Sequence, residues 1–321
     1  MADSFQKKEN KVALLIDMGG TNIRFGLTEN GRTFERTAIL KNADFKSFDN
    51  ALAFYLSQIT EKPNRLFMAA AGALYQETVF LSNNPWVISK KDIQKNFNFT
   101  KVTLINDFVA QALAVPLIPK EKKIQISDRG HAEKNAAILV MGPGTGLGVS
   151  ALVPNEKANG GFFPVPSEGG HISAAPQNEK ESRLIEELRK NHPHISVERI
   201  VSGNGLKLLY RYYLGKNHSL KSEEISALAR QGDETATQAL LTMMNFLGAA
   251  AGDLALTFNA FGGVYLAGGL LQNEGMLDFL IKSYFRKRFE EKGRMSLYLE
   301  KIPTYLIKDP LSAFAGLGTL I

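Results

Sequence analysis

Leu14-Leu-Ile-Asp17-Met-Gly19-Gly20-Thr21-Asn22-Ile-Arg24-Phe-Gly-Leu27 runs apolar, turns through paired glycines and runs apolar again, with a lone carboxylate at the bend. The pattern reads as strand, turn, strand. With no Cβ at Gly19 and Gly20, backbone N–H groups can come close to an anion, and Thr21 and Asn22 add small donors beside them. A phosphate suits such a turn. Asp17 cannot itself welcome a phosphate, so its role there would be to hold Mg²⁺, through the ion's waters, beside one. Taken alone, the stretch reads equally well as a β-hairpin whose Asp17 bonds only local backbone.

A second copy shifts that balance. Placing Gly20-Thr21-Asn22 on Gly144-Thr145-Gly146 lays 13–27 over 137–151, again an apolar run, a Gly/Thr turn and an apolar run. The second turn, Gly142-Pro-Gly144-Thr145-Gly146-Leu-Gly148, fails as a dinucleotide-binding fingerprint. That fingerprint needs glycine at 147, where Leu147 stands, and Val149-Ser-Ala-Leu-Val153 reads as a strand where a helix should begin. No Gly-x-x-x-x-Gly-Lys-Ser/Thr element occurs, which excludes a P-loop. Two facing phosphate hairpins remain the better reading.

Bulk properties bound the rest. A chain of 321 residues with 44% hydrophobic content can bury a sizeable core and is expected to form two lobes. The absence of cysteine excludes disulfides, thiolate zinc sites and a cysteine nucleophile, and fits a reducing, cytoplasmic location. The polar start, Met1 to Lys11, carries no apolar signal core. Ala239 to Phe258 is apolar with a Gly248-Ala-Ala-Ala-Gly252 spacing, but Asn245 and Asp253 inside it favour a buried helix over a membrane span. A net charge of +6 suits an anionic ligand, yet it is too diffuse to argue for nucleic acid. Lys120-Glu-Lys-Lys123 and Lys282 to Arg294 read as surface. His192-Pro-His194 is a lone pair in a polar loop, and no metal site is expected from it.

Periodicity predicts strands near 12–18, 22–28, 35–40, 66–71, 78–82 and 102–105, with helices near 47–60, 90–96 and 107–115. Strands near 136–141 and 147–153 then precede helices near 179–190, 196–200, 203–214, 222–230 and 233–260. A strand near 263–267, a helix near 275–284, a strand at 303–307 and a closing helix from about 311 follow. Pro116 to Asn135 reads as the link between lobes. The final strand and helix read as returning to the first lobe, so the expected domains are 1–115 plus 303–321, and 116–302.

Three further segments carry chemistry. Val102-Thr-Leu-Ile105-Asn106-Asp107-Phe passes from a strand to a helix, so either Asn106 or Asp107 could simply cap that helix. Ligands of α/β proteins are, however, met at strand ends, where Asp107 could accept a proton from an attacking hydroxyl and Asn106 could hold another. Pro166-Ser-Glu168-Gly-Gly-His171 places a carboxylate and an imidazole around two glycines, suited to vicinal sugar hydroxyls, although a solvated turn has the same pattern. Glu198, two residues after Ser196, reads as a first-turn helix carboxylate or a further ligand. Phe261-Gly-Gly-Val-Tyr-Leu-Ala267-Gly268-Gly269 is a strand ending in paired glycines, as a flat adenine ring or a tight turn would require.

Jointly these segments resemble the cytoplasmic bacterial-type glucokinases, within the sugar-kinase, actin and Hsp70 group of duplicated β-sheet ATPases. Asp17-x-Gly19-Gly20-Thr21-Asn22 is similar to that family's first phosphate motif, Gly142 to Gly148 with Gly144, Thr145 and Gly146 to the second, and Ala267-Gly268-Gly269 to its adenosine motif. Leu104-Ile-Asn106-Asp107-Phe resembles the catalytic aspartate segment, Glu168-Gly-Gly-His171 the sugar loop, and Glu198 with Ser202-Gly203 a further sugar carboxylate. Ser82-Asn-Asn-Pro-Trp86 resembles a sugar-side loop. Two departures stand out. Ala70-Ala71-Gly72 replaces a proline before glycine, and the branch that binds zinc through cysteines is disfavoured by their absence.

The resemblance implies an α/β, two-lobed, actin-like ATPase (ribonuclease H-like) fold with duplicated mixed β-sheet units and a central cleft that closes on sugar. It implies phosphorylation of the glucose 6-hydroxyl by ATP, with Asp107 as general base, Asn106, Glu168, His171 and Glu198 on the sugar, and Mg²⁺ near Asp17. No nucleic-acid or membrane partner is expected, and a homodimer is expected by analogy. The alternatives are a kinase for another hexose or amino sugar, and a non-catalytic sugar-sensing regulator.

Overall fold

The structure, a computed structural model, describes residues 11–81 and 85–321. The chain divides into two compact units, Met1–Leu117 with Leu311–Ile321, and Ile118–Pro310. The Ser82, Asn83 and Asn84 positions of the sugar-side loop lie outside the described residues.

In unit 1 the strands are β1 (Ala13–Met18), β2 (Asn22–Thr28), β3 (Glu35–Lys41), β4 (Arg65–Ala70), β5 (Gly72–Tyr75), β6 (Thr78–Leu81), β7 (Val87–Ser89) and β8 (Lys101–Asn106). The main sheet runs β3-β2-β1-β4-β8, and β5-β6-β7 form a small antiparallel sheet of their own. β1 is buried along its whole length, which explains why its sequence is a continuous apolar run instead of an alternating one. Its side chains still alternate between faces. Leu14, Ile16 and Met18 join Phe48, Leu52 and Tyr55 of α1 (Phe48–Ser57) in one core. Ala13 and Leu15 join Ala110, Phe314 and Leu317 in another.

This second core is built by α3 (Asp107–Ala114), which follows α2 (Lys90–Phe97) and β8, and by the closing helix Ser312–Gly318. A Cβ on Gly316 would lie 1.8 Å from the Ala110 carbonyl oxygen, so glycine is what allows the two helices to meet. Ser312 Oγ also donates to Gln111 Oε1 at 2.7 Å.

Unit 2 repeats the plan. Its strands are β9 (Lys123–Gln125), β10 (Ile138–Pro143), β11 (Leu147–Pro154), β12 (Phe162–Ser167), β13 (Val264–Leu266) and β14 (Thr304–Ile307), in the order β12-β11-β10-β13-β14-β9. From β12 to β14 the pairing is antiparallel, antiparallel, parallel, parallel, the same succession as from β3 to β8. The duplication read from two glycine turns therefore extends to whole sheets.

The helices of unit 2 are α4 (Glu179–Arg189), α5 (Val197–Ile200), α6 (Gly203–Leu214), α7 (Ser222–Arg230), α8 (Glu234–Phe258), α9 (Met276–Lys282), α10 (Phe285–Glu290) and α11 (Ser296–Leu299). By length and composition α8 could cross a membrane, but 78% of its apolar window is buried within the protein. Its Gly248 and Gly252 serve packing against α10, since a Cβ on them would lie 2.2 Å and 2.3 Å from the Phe285 and Phe289 carbonyl oxygens.

Three expectations need correction. The 303–307 strand does not return to the first lobe: β14 pairs with β13 and β9 in unit 2, and only the closing helix returns, so the boundary falls at 310/311 and not 302/303. The 116–135 segment is not all link, because β9 within it is the antiparallel edge strand beside β14. Lys282 to Arg294 is not all surface. Phe285 and Phe289 of α10 are fully buried, and Arg288 is buried in an ion pair with Glu181.

Candidate functional site

The first glycine turn joins β1 to β2. Met18 pairs with Ile23 across the strands, and the Gly19 N–H donates to the Asn22 carbonyl at 2.9 Å, which leaves Gly20 and Thr21 at the tip. Asp17 faces Arg24 one pair further in, and Arg24 Nη1 donates to Asp17 Oδ2 at 2.7 Å. Asp17 is buried on the α3 side of the sheet. Burial pushes its carboxyl above the ordinary carboxylate range, while the Arg24 charge opposes that shift. The turn is also held from outside: the Asn42 N–H donates to the Thr21 carbonyl, and Asn42 Nδ2 to the Gly19 carbonyl, both at 2.9 Å.

At the far end of β4 and β8 stand Asn106 and Asp107. Parallel pairing brings Asn106 alongside Ala70, beside the end of β1, so this is the ligand-meeting edge of the sheet. Asn106 is the N-cap of α3, accepting the Phe108 N–H at 2.9 Å, and Asp107 Oδ1 accepts the same N–H at 3.0 Å. Asn106 Nδ2 points toward the Gly72 carbonyl at 3.4 Å, placing it by the Ala70-Ala71-Gly72 departure. The cap engages the Asp107 carboxylate through Oδ1.

The second turn is one residue shorter than the first. Pro143 pairs with Leu147 and the Gly144 N–H donates to the Gly146 carbonyl at 2.8 Å, so an ungapped overlay of the two turns slips by one residue on one flank. Here other elements hold the turn. Glu198 of α5 accepts the Leu147 N–H at 2.8 Å, and a Cβ on Gly146 would lie 2.4 Å from that same carboxylate oxygen. The Gly203 N–H, in the first turn of α6, donates to the Gly144 carbonyl at 2.9 Å. A Cβ on Gly170 would lie 2.2 Å from the Leu147 carbonyl oxygen, so the Glu168–His171 loop packs on the same residue.

That loop presents its polar groups outward. The Glu168 and His171 side chains are 67% and 58% exposed, with 3.9 Å between carboxylate and imidazole, so their pairing leaves both open to other partners. His194, read from sequence as part of a lone histidine pair, places Nε2 3.1 Å from the His171 carbonyl oxygen and steadies the loop. The adenosine-like glycines divide in two. A Cβ on Gly142 would lie 1.8 Å from the Ala267 carbonyl oxygen, and Gly268, at φ +97°, would meet the Pro143 carbonyl oxygen at 2.6 Å. Gly144 and Gly269 would meet nothing within 4 Å.

The structure thus gathers Asp17, Gly19, Gly20, Thr21, Asn22, Asn106 and Asp107 in unit 1. In unit 2 it gathers Gly142, Gly144, Thr145, Gly146, Glu168, His171, Glu198, Gly268 and Gly269. Sequence reasoning missed Asn42, Gly170, His194 and Gly203 as supports, because each acts on a residue remote in the chain. For the metal expectation, no group of three or more His, Asp or Glu side chains that could hold an ion occurs among the described residues. One buried carboxylate with an oxygen already on Arg24 fits an ion held mainly by its own waters and by substrate phosphates.

The sequence profile of the glucokinase family matches residues 14–321. The glucokinase of Chromohalobacter salexigens is 38% identical over 311 residues, covering 95% of both chains. The bifunctional protein glk of Burkholderia orbicola is 36% identical over 314 residues, which are 96% of this chain and 48% of that protein. The chain therefore spans about half the length of the bifunctional relatives it matches. A crystal structure of glucokinase from an Antarctic psychrotroph superposes with a TM-score of 0.80 at 36% identity, covering 97% of this chain and 98% of that one. The repeated sheet with its two glycine turns is the actin-like ATPase arrangement of these sugar kinases. Fold, motifs and relatives agree, and the chain belongs to the glucokinase family.

Proposed function

We propose that this chain transfers the γ-phosphoryl group of ATP to the 6-hydroxyl of glucose, giving glucose 6-phosphate and ADP. The observation that carries the reading is the meeting at Leu147. Its N–H is held by Glu198 and its carbonyl abuts Gly170, so a glycine turn suited to phosphate is packed against the loop that presents Glu168 and His171. A phosphate cradle adjoining a set of exposed hydroxyl-binding groups suits a sugar kinase better than a filament or chaperone ATPase, which has no need of that loop. Membership in the glucokinase family narrows the sugar to glucose.

In this reading Asn106, Glu168, His171 and Glu198 orient the sugar. The Asp107 carboxylate accepts the proton of the attacking hydroxyl as the bond to phosphorus forms and the bond to the ADP oxygen breaks. Phosphoryl transfer is loose, so that proton moves late, and positioning with charge stabilisation supplies most of the acceleration. In the same reading the glycine turns serve the ATP phosphates through their N–H groups, and Gly268 and Gly269 let the backbone approach the adenosine. Mg²⁺, held beside Asp17 through water, would neutralise phosphate charge when bound. A cytoplasmic location and a homodimer belong to the same reading.

The test is a coupled assay of ADP release across a panel of hexoses and amino sugars. Glucose-dependent ADP release, weaker with other sugars, is the expected result. A stronger response to another sugar would reassign the substrate, and sugar-independent release or none at all would overturn the kinase reading.

A further inference from the structure

The structure assigns to Asn42 the role of positioning residue for the first phosphate turn, an inference that rests on the reading of Gly19–Asn22 as a nucleotide-phosphate site. Asn42 directly follows β3, whose last residue Lys41 pairs with Asn22, so the sheet delivers it to the base of the turn. It is 4% exposed. Its backbone N–H takes the Thr21 carbonyl and its Nδ2 takes the Gly19 carbonyl, both at 2.9 Å. The amide orientation follows from chemistry, since a carbonyl oxygen can only be met by the NH₂ group.

Two consequences follow. All peptide bonds described are trans, and a trans peptide carries its N–H opposite its carbonyl. Pinning the Gly19 and Thr21 carbonyls toward Asn42 therefore turns the Gly20 and Asn22 N–H groups the other way. Asn42 sets which way the turn's donors face. Its Oδ1, meanwhile, is buried with no hydrogen-bond partner within the protein. An orphaned buried acceptor costs about as much as one good hydrogen bond contributes, so the side chain adds little net stability. A residue kept only for stability would be better served there by an apolar side chain, and what Asn42 provides that an apolar one cannot is the grip on Gly19.

The test compares the wild type with Asn42→Ala and Asn42→Asp, by calorimetric titration with Mg²⁺ and a non-hydrolysable ATP analogue and by steady-state kinetics. Asn42→Ala should raise the analogue Kd and the KM for ATP about tenfold, with thermal midpoint and KM for the sugar close to wild type. Asn42→Asp should be worse at pH 8, where a carboxylate faces the Gly19 carbonyl. Relative to wild type at each pH it should recover as the pH falls and a protonated acid regains a donor. Wild-type analogue affinity in a folded Asn42→Ala protein would overturn the role, as would losses toward sugar and nucleotide that simply track a lowered midpoint. If Asn42→Ala does not fold, a pH-independent ratio for Asn42→Asp overturns it. Wild-type protein that binds no analogue overturns the phosphate reading beneath it.

Discussion

The two glycine turns occupy equivalent places in equivalent sheets, yet they are built by different means. One pair in from the first turn stand Asp17 and Arg24, joined by an ion pair, and at the corresponding place in the second stand Gly142 and Gly148. The first turn concentrates charge and is braced by Asn42, just past the end of the strand next in the sheet. The second gives up side chains so that backbones can close on one another, and borrows its carboxylate, Glu198, from α5. At the turn itself, then, the first half carries charge, with Asp107 heading the helix that follows β8, while the second is a close-packed backbone frame whose titratable groups, Glu168, His171 and Glu198, come from flanking loops and helices.

The largest effect should come from the charged half. Asp107→Asn should lower kcat by at least about a hundredfold with little change in sugar affinity, because the base is lost while the cap to Phe108 can persist. Steady-state kinetics with a sugar-binding titration checks this, and near-normal turnover would remove Asp107 from its role. The frame half should respond through folding. Gly142→Ala drives a Cβ toward the Ala267 carbonyl oxygen and should cost about 1–3 kcal/mol in denaturant unfolding. Gly144→Ala and Gly269→Ala meet no atom within 4 Å, so stability should stay within about 0.5 kcal/mol of wild type. A raised KM for ATP in both would mark those glycines as kept for the nucleotide, and an unchanged KM would break the contrast between Gly142 and Gly144.

The smallest effect concerns alkaline stability. Burial pushes the Tyr55 phenol in unit 1 up to about 12, and burial also raises Tyr265, stacked on Tyr305, in unit 2. A folded pKa above the unfolded value of about 10 means stability that is intact below pH 10 and lost as the pH climbs through the folded pKa. Tyr55→Phe should flatten the fall in unfolding midpoint between pH 10 and 12 for the transition that includes unit 1. A profile identical to wild type would show that the phenol ionises without unfolding.

How much of this was legible depends on how local each cause is. The duplicated sheets could be read because β1 and β10 are continuous apolar runs ending in glycine turns, a signal contained in a few residues. Asn106 and Asp107 were legible for the same reason, a strand breaking into a helix at two capping residues. β9 was hidden by its three-residue length among lysines, and α10 because Phe285 and Phe289 are embedded in alternating charge. β14 went to the wrong lobe because a short apolar run does not disclose its partner strand. Asn42, Gly170 and Gly203 left no local mark, since each matters only through a backbone group distant in sequence.

The seating of Gly316 on Ala110 has a consequence for how the protein comes into being. During synthesis α3, with Asp107 at its head, emerges almost two hundred residues ahead of the helix that covers it, and all of unit 2 is made in between. Until then the nascent first unit has one face of its sheet covered by α3 without its partner helix, so vectorial folding can complete the second unit before the first.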